Sequence, residues 1–591
     1  MKQSGTFRFY FLGAVFAIIG LAIIGRIVLI GTDSRFREVG KETGELSTYK
    51  YKVVEPERGN IYDRWGNLLA GNKEVYEVGV ELQYVNDNNR ELLINTLTEL
   101  TGVDRNDVAA AVNIPFNADG PDKKIFATIK KDVPADVIDQ IIQLNKQYKA
   151  MKPAKKDQVI PNLDAISWTG RLERSYPEGT LAANVLGFYS DTGWYGVEEK
   201  YNDLLSRPSQ SYNISMDPYQ NLVVPEIPAG ASLILTIDRE IQSMTETVLD
   251  QAIVDTGSAS GTILIMDPNS GELLAMATTP RGNPNEYYNY GEIYPGNTPF
   301  NRAIQQTYEP GSVFKVLTMA SAIDAGVVTP DTEFLDTGSI EIGGWYINNW
   351  DGGAWGYQTM TGCMQHSLNV CLTWVAQQLT PTSFYQYLQA FGIGRRTNID
   401  LAGEQYLPLS MPGDPNWYEV NLGTNSFGQG LAVTPIQMIT ASAALANDGR
   451  MMAPHILKAY IQDGRQIPID PIVVGTPIKP ESAHTITEML AISLEGESSS
   501  ALVDGYRVAG KTGTAEIPTE GGYSSHQTNA SFVGWGPVDD PQFIVYIWLE
   551  KPQTDIWGSI VAAPIFSQVV KELVVLMDLP PDQVRLEMTK N

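Results

Sequence analysis

The run Glu309-Pro310-Gly311-Ser312-Val313-Phe314-Lys315 places a hydroxyl and an amine three residues apart, just before the apolar stretch Val316 to Ala325. Proline and glycine break what precedes, so a helix is predicted to start at Ser312, with Lys315 one turn on and on the same face. That pairing suits nucleophilic catalysis. Serine supplies the attacking oxygen, and lysine becomes a base once its pKa drops far below the ordinary value of about 10.4. Burial or a second cation would lower it. Free N–H groups at the helix start would stabilise an oxyanion.

Two further elements add chemistry of the same kind. Ser367-Leu368-Asn369 brings a second hydroxyl and an amide. Lys511-Thr512-Gly513, preceded by the strand-like Tyr506-Arg-Val-Ala509, brings a second cation. Each element alone is weak, since Ser47-Thr-Tyr-Lys50 also fits S-x-x-K and Ser211-Tyr-Asn213 also fits S-x-N. Metal chemistry is not expected. The histidines are His366, His455, His484 and His526, in no ligand-type spacing, and only Cys363 and Cys371 add thiols. On one unbroken helix those cysteines would stand about 12 Å apart, too far to bridge, so two reduced, buried thiols are expected. A break between them would reopen the bridge.

Positioning these groups falls to a recognisable series of elements. Leu233 to Ile237 reads as a strand, and Asp238 is placed to cap a helix from Arg239 to Val254. Gly261–Met266 and Leu273–Ala277 flank the turn Asp267-Pro-Asn-Ser-Gly271, a hairpin signal, and Phe543–Leu549 is a late apolar strand. Upstream, Tyr51–Glu55 is strand-like, while Glu91–Thr101 and Pro134–Lys149 have helical spacing.

Composition narrows the setting. Across 591 residues the net charge is −26, with 43% apolar and 19% charged residues. That is an ordinary globular mixture and a poor partner for nucleic acid, which needs a clustered positive field. Phe9 to Ile30 is almost uninterruptedly apolar, its 22 residues spanning about 33 Å as a helix against a hydrocarbon core of about 30 Å. Arg26 near the far end would snorkel. Lys2 and Arg8 place the short N-terminus in the cytoplasm. With no small-x-small cleavage site after it, the segment reads as an anchor, not a cleaved signal.

S-x-x-K with S-D-N and K-T-G marks penicillin-binding proteins and class A β-lactamases; here leucine replaces the aspartate. The resemblance reaches much further. Arg58-Gly59-Asn-Ile-Tyr-Asp63-Arg64-Trp-Gly66, Arg174-Ser-Tyr176-Pro177, Val185-Leu-Gly187 and Gly196-Val-Glu198 resemble the N-terminal motifs of class B (monofunctional) penicillin-binding proteins. Met266-Asp-Pro268, Asn301-Arg-Ala303, Phe427-Gly-Gln-Gly430, Thr434-Pro-Ile-Gln437 and Lys511-Thr-Gly-Thr-Ala-Glu516 resemble the motifs of their catalytic domain.

This resemblance implies a cytoplasmic tail at 1–8, a transmembrane anchor at 9–30 and a connector at 31–47. An α+β pedestal, or "dimerisation", domain follows at 48–230. A transpeptidase domain at 231–579 and a tail at 580–591 complete the chain. The catalytic domain is expected to be an α/β, β-lactamase-like fold with an antiparallel sheet flanked by helices.

It further implies a D,D-transpeptidase of peptidoglycan. Ser312 is acylated by a D-Ala-D-Ala stem peptide or trapped by β-lactams, and Lys315 is the base. Ser367 relays a proton, Asn369 holds Lys315 and the substrate amide, and Lys511 supplies positive potential. Thr512, Gly513 and Thr514 bind the substrate, with the N–H groups of Ser312 and Thr514 as oxyanion hole. Arg58, Gly59, Asp63, Arg64 and Arg174 are structural, and His366 is expected to be a packed or surface residue. No cofactor or metal is implied. A SEDS-type glycosyltransferase is the expected membrane partner, and both side-wall elongation and septum formation stay open.

A D,D-carboxypeptidase differs only in using water as acceptor. A silent scaffold or β-lactam sensor is another alternative, against which stand the retained Ser312 and Lys511 and the absence of a cytoplasmic signalling segment. A bifunctional enzyme with its own glycosyltransferase domain would need a histidine-bearing motif upstream, and no histidine precedes His366.

Overall fold

The computed structural model describes residues 4–32, 49–54, 56–119, 122–151, 160, 162–190, 193–215, 227–497, 499–519 and 522–588. Its contacts divide the chain into two compact units, Met1–Glu57 with Ser206–Gly230, and Arg58–Leu205 with Ala231–Asn591.

In the smaller unit, helix α1 runs from Ser4 to Thr32, beyond both ends of the apolar span expected from the sequence. Its 29 residues extend about 43 Å. Phe11, Phe16, Ile18 and Leu21 are each more than half exposed, an outward apolar surface that water disfavours. Strand Tyr49–Val54 pairs antiparallel with Gln210–Ser215, so the expected strand at Tyr51 forms. Ser47, the decoy of the serine–lysine motif, lies outside the described residues.

The larger unit is built on two sheets. The first contains β1 (Ile61–Tyr62), β2 (Leu68–Glu81), β3 (Phe126–Pro134), β4 (Ile166–Ser175) and β5 (Ser232–Leu235). Strand β1 runs parallel to β5, pairing Ile61 with Leu233, so the segment ending at Leu205 and the segment starting at Ala231 share one sheet. The expected helices at Glu91 and Pro134 form as Arg90–Thr101 and Ala135–Ala150. Both bury apolar residues over β2 and β3: Leu93, Leu97, Ile138 and Ile141 pack with Val78, Val80 and Val133.

Helix α2 (Arg239–Thr256) begins where predicted, the Asp238 carboxylate accepting from the Glu240 and Ile241 N–H groups. The hairpin β6 (Ser260–Met266) and β7 (Leu273–Thr278) also forms as expected. Helix α3 (Lys315–Asp324), α4 (Met360–Gln365), α5 (Asn369–Leu379) and α6 (Pro435–Ala443) follow. Strands β8 (Leu457–Gln462) and β9 (Arg465–Pro468) return to the first sheet beside β5. After α7 (Pro480–Glu497), strands β10 (Ala509–Thr519), β11 (Gly522–Gly536) and β12 (Phe543–Glu550) complete the second sheet, in the order β7-β6-β12-β11-β10.

Every pairing in this second sheet is antiparallel. Strand β12 explains its layering. Phe543, Val545, Ile547 and Leu549 pack on one side with α2 and α8 (Ala563–Leu576), while Ile544, Tyr546 and Trp548 pack on the other with α3 and α6. A strand covered on both faces reads as a continuous apolar run. The apolar stretch Gly558–Leu576 is long enough to cross a membrane by composition, yet it is 56% buried here. It is the core helix under this sheet.

Two expectations need correction. The strand foreseen at Tyr506–Ala509 begins only at Ala509, because β10 pairs with β11 from Ala509↔Trp535 onward. Lys511-Thr512-Gly513 therefore lies inside the strand, not after it. Cys363 and Cys371 are not reduced thiols but a disulfide, with Cα atoms 6.2 Å apart. The straight-helix distance does not apply, because the helix is interrupted between α4 and α5, where Ser367 takes φ +54°.

Candidate active site

Ser312 sits in a single 3-10 turn, Gly311–Phe314, that leads directly into α3. Its position is set by close backbone approaches. Gly311 has φ +62°, and a Cβ there would meet the Thr514 carbonyl oxygen at 2.7 Å. Gly428 has φ +81°, and its Cβ would stand 2.3 Å from the Gly311 oxygen. Gly311 N–H donates to the Gly428 carbonyl at 3.0 Å. Only glycine permits this seam, which locks the Ser312 turn against β10 and the Phe427–Gly430 loop.

Lys315 opens α3 and is completely buried. Its Nζ donates to the Ser367 carbonyl oxygen at 2.5 Å and to Asn369 Oδ1 at 2.8 Å, and it lies 3.1 Å from Ser367 Oγ, a hydroxyl that can donate or accept. The helix break brings these acceptors together. With Ser367 in the left-handed region, its carbonyl and hydroxyl both face the lysine, and α5 starts at Asn369. Burial, and secondarily the charge of Lys511, hold the Lys315 pKa well below the usual lysine range. Lys511 is 4% exposed, and burial pushes its pKa down to about 8 against the opposing pull of Glu497. Its Nζ donates to Thr512 Oγ1 at 3.4 Å.

Ser312, Asn369 and Thr514 line one cavity of about 400 Å³. Thr514 Oγ1 accepts from the Gly558 N–H at 2.9 Å, leaving its own hydroxyl proton for a ligand. Gly513 is held by close packing, since a Cβ there would meet Ser531 Oγ at 2.3 Å. A cleft with a hydroxyl at a helix start, a buried low-pKa amine beside it and a second cation is equipped for acyl transfer through a serine ester. Among the described residues no group of three or more His, Cys, Asp or Glu could hold a metal.

The remaining expected residues lie elsewhere in the unit. Glu198 is fully buried and accepts from Arg58 Nε at 2.7 Å, Arg174 Nε at 2.6 Å and Tyr176 Oη at 3.2 Å. Arg174 also donates to the Gly59 carbonyl at 2.8 Å. Asp63 accepts from the Trp65, Asn67 and Arg239 N–H groups, tying the loop before β2 to the start of α2. Arg64 pairs with Glu272 at 3.2 Å. His366 stacks on Trp355 with ring centroids 4.3 Å apart and pairs with Glu497.

Sequence reasoning missed the aromatic wall of the cleft. Trp350 and Trp557 line the cavity with ring centroids 5.1 Å apart, and Trp350 Nε1–H donates to the His366 carbonyl at 3.1 Å. Both stand in loops, where no periodicity marks them. Glu309, beside the nucleophile motif, was also passed over. Burial pushes its pKa up to about 7 while it accepts from the Gly430 N–H and Tyr523 Oη.

Comparison with known proteins accounts for most of the chain. Residues 261–571 match the penicillin binding protein transpeptidase domain and residues 53–217 the penicillin-binding protein dimerisation domain. Stage V sporulation protein D of Bacillus subtilis is 30% identical over 96% of this chain and 86% of its own length. Peptidoglycan D,D-transpeptidase FtsI of Escherichia coli is 27% identical over 95% of this chain and 90% of its own. Among solved structures, penicillin binding protein 3 of Mycobacterium tuberculosis complexed with aztreonam superposes with a TM-score of 0.67 at 24% identity. That match covers 90% of this chain and 98% of that one.

Proposed function

The chain belongs to the penicillin-binding protein transpeptidase family, and from that membership we propose that it cross-links peptidoglycan as a serine D,D-transpeptidase. Ser312 Oγ attacks the carbonyl carbon of the penultimate D-Ala of a stem peptide while Lys315, neutral because it is buried beside Lys511, accepts the hydroxyl proton. The oxyanion is held by the Ser312 and Thr514 N–H groups. The C–N bond to the terminal D-Ala breaks. Its leaving amine takes up a proton relayed through Ser367, leaving an ester on Ser312. An acceptor strand's amine then attacks that ester, gives up a proton along the same route and frees the serine. Asn369 positions Lys315 and the substrate amide, while Lys511, Thr512 and Thr514 take the substrate carboxylate. The strand beyond Gly513 pairs with the peptide backbone. β-Lactams enter as mimics of D-Ala-D-Ala and stall at the ester.

The observation that carries this reading is the convergence of Ser367 and Asn369 on the fully buried Lys315. A lysine serving only as a surface charge would stay solvated.

Helix α1 is proposed as a single-pass anchor with the N-terminus in the cytoplasm and the catalytic unit outside. The Cys363–Cys371 bridge supports the outer, oxidising location. A SEDS-type glycosyltransferase is the proposed membrane partner. Ion pairing at Arg58, Arg64 and Arg174 supports a structural role for the N-terminal motifs.

Labelling with a fluorescent penicillin tests the assignment: one covalent adduct at Ser312 is expected, absent in Ser312→Ala. Labelling that persists in that variant would overturn it. Incubation of a donor stem peptide with an amine acceptor separates the acyl acceptors. Free acid as the main product, even with the acceptor present, would make the enzyme a carboxypeptidase.

A further inference from the structure

Away from the cleft, and sharing no lining residue with it, a cavity of about 240 Å³ opens beside the loop Gly392–Asn398. The loop backbone is fixed from two sides. Glu404, itself buried, accepts from the Thr397 N–H and Oγ1 at 2.7 Å and from the Asn398 N–H at 3.0 Å. From α6, Gln437 Nε2 donates to the Arg395 carbonyl at 2.6 Å. Glu404 is therefore engaged by the loop, and it lies within 4 Å of no arginine nitrogen among the described residues.

Arg395 and Arg396 border the cavity, and among the described residues no carboxylate lies within ion-pair distance of either. Most described arginines outside α1 have one, as a chain of net charge −26 makes easy. Arg396 also stands over the Tyr406 ring, 5.7 Å from its centroid, which leaves its N–H donors free, so an anion in the cavity would lower the energy of both guanidiniums. A separate observation points the same way. Thr440 lines the cavity from α6, is 4% exposed, and its Oγ1 has no hydrogen-bond partner among the described residues. A buried hydroxyl without a partner is costly unless a ligand satisfies it.

We propose that this cavity binds a phosphate group, with the Arg395 and Arg396 guanidiniums neutralising its two negative charges and the Thr440 hydroxyl donating to a third oxygen. Guanidinium forks match phosphate oxygens two at a time, and a tetrahedral group offers acceptors to all three side chains, which a planar carboxylate does not. The phosphate is either free in solution or carried by an esterified wall or lipid component.

Isothermal titration of the full-length protein in detergent with inorganic pyrophosphate, inorganic phosphate and citrate tests the site. Vesicles of phosphatidylcholine containing phosphatidylglycerol test the esterified source. Saturable binding of pyrophosphate or phosphate is expected, at least about tenfold tighter than citrate and weakened about tenfold or more in Arg395→Gln/Arg396→Gln. Fluorescent-penicillin labelling should be unchanged in that variant, which verifies its fold. Thr440→Val preserves shape and charge and should weaken binding several-fold, and it decides the matter if the double variant fails to label. Vesicle binding lost in the same variants without binding of free phosphate assigns the esterified source. The proposal is overturned if neither phosphate source binds, if citrate binds as well as pyrophosphate, or if the variants bind like the wild type.

Discussion

Removing the Cys363–Cys371 bridge tests whether Ser367 and Asn369 are held in place covalently or by packing alone. The two cysteines are eight residues apart. Chain entropy for so short a loop gives about 2.5 kcal/mol at 25 °C. Inside the loop Ser367 sits at φ +54°, which costs a non-glycine residue about 1–3 kcal/mol. The bridge thus offsets roughly the strain that turns the Ser367 carbonyl and hydroxyl toward Lys315.

In Cys363→Ala/Cys371→Ala we expect urea unfolding of the full-length protein to lose about 2.5 kcal/mol. The acylation rate with fluorescent penicillin should fall about tenfold, as relaxation of about 1.4 kcal/mol at Ser367 is transmitted to Lys315. Wild-type protein treated with a thiol reductant should reproduce both effects, which excludes the missing sulfur volume as their cause. If the variant loses the stability but acylates at the wild-type rate, packing alone positions Ser367 and the reasoning fails. Retention of the full stability would refute the entropic argument itself.

Two other outcomes are expected. Lys511, with a pKa pushed down to about 8, loses its charge as pH rises through that value. The second-order acylation constant should therefore decline on that limb, and Lys511→Arg, always charged, should abolish the decline; a wild-type profile flat from pH 7 to about 9.5 would contradict this. Glu198→Ala leaves two buried guanidiniums without their shared carboxylate and should cost about 3–5 kcal/mol in denaturant unfolding. Folded molecules of that variant should still acylate normally, because Glu198 touches neither the cleft nor Lys315.

What the sequence determined by itself was local. The cap at Asp238, the hairpin around Asp267-Pro-Asn-Ser-Gly271 and the apolar run of β12 follow from short-range hydrogen bonding and periodicity, and all three form. The turn into a helix at Ser312 was legible for the same reason, since proline and glycine act on their immediate neighbours, although Ser312 stands in a 3-10 turn and the α-helix itself opens at Lys315. The three motifs could be found, but not the way they meet. Lys315 reaches Ser367 and Asn369 across more than fifty residues, at a helix interruption that helix periodicity across Cys363 and Cys371 does not reveal.

Tertiary structure alone decided that β1 and β5 share a sheet, and that Lys511 lies within a strand begun at Ala509. It alone set Trp350 and Trp557 on one wall and brought Arg395 and Arg396 to the same cavity as Thr440. These outcomes depend on which distant surfaces pack, and on the burial that results. Burial is also what moves the Lys315 pKa, and no pattern of neighbours along the chain specifies it.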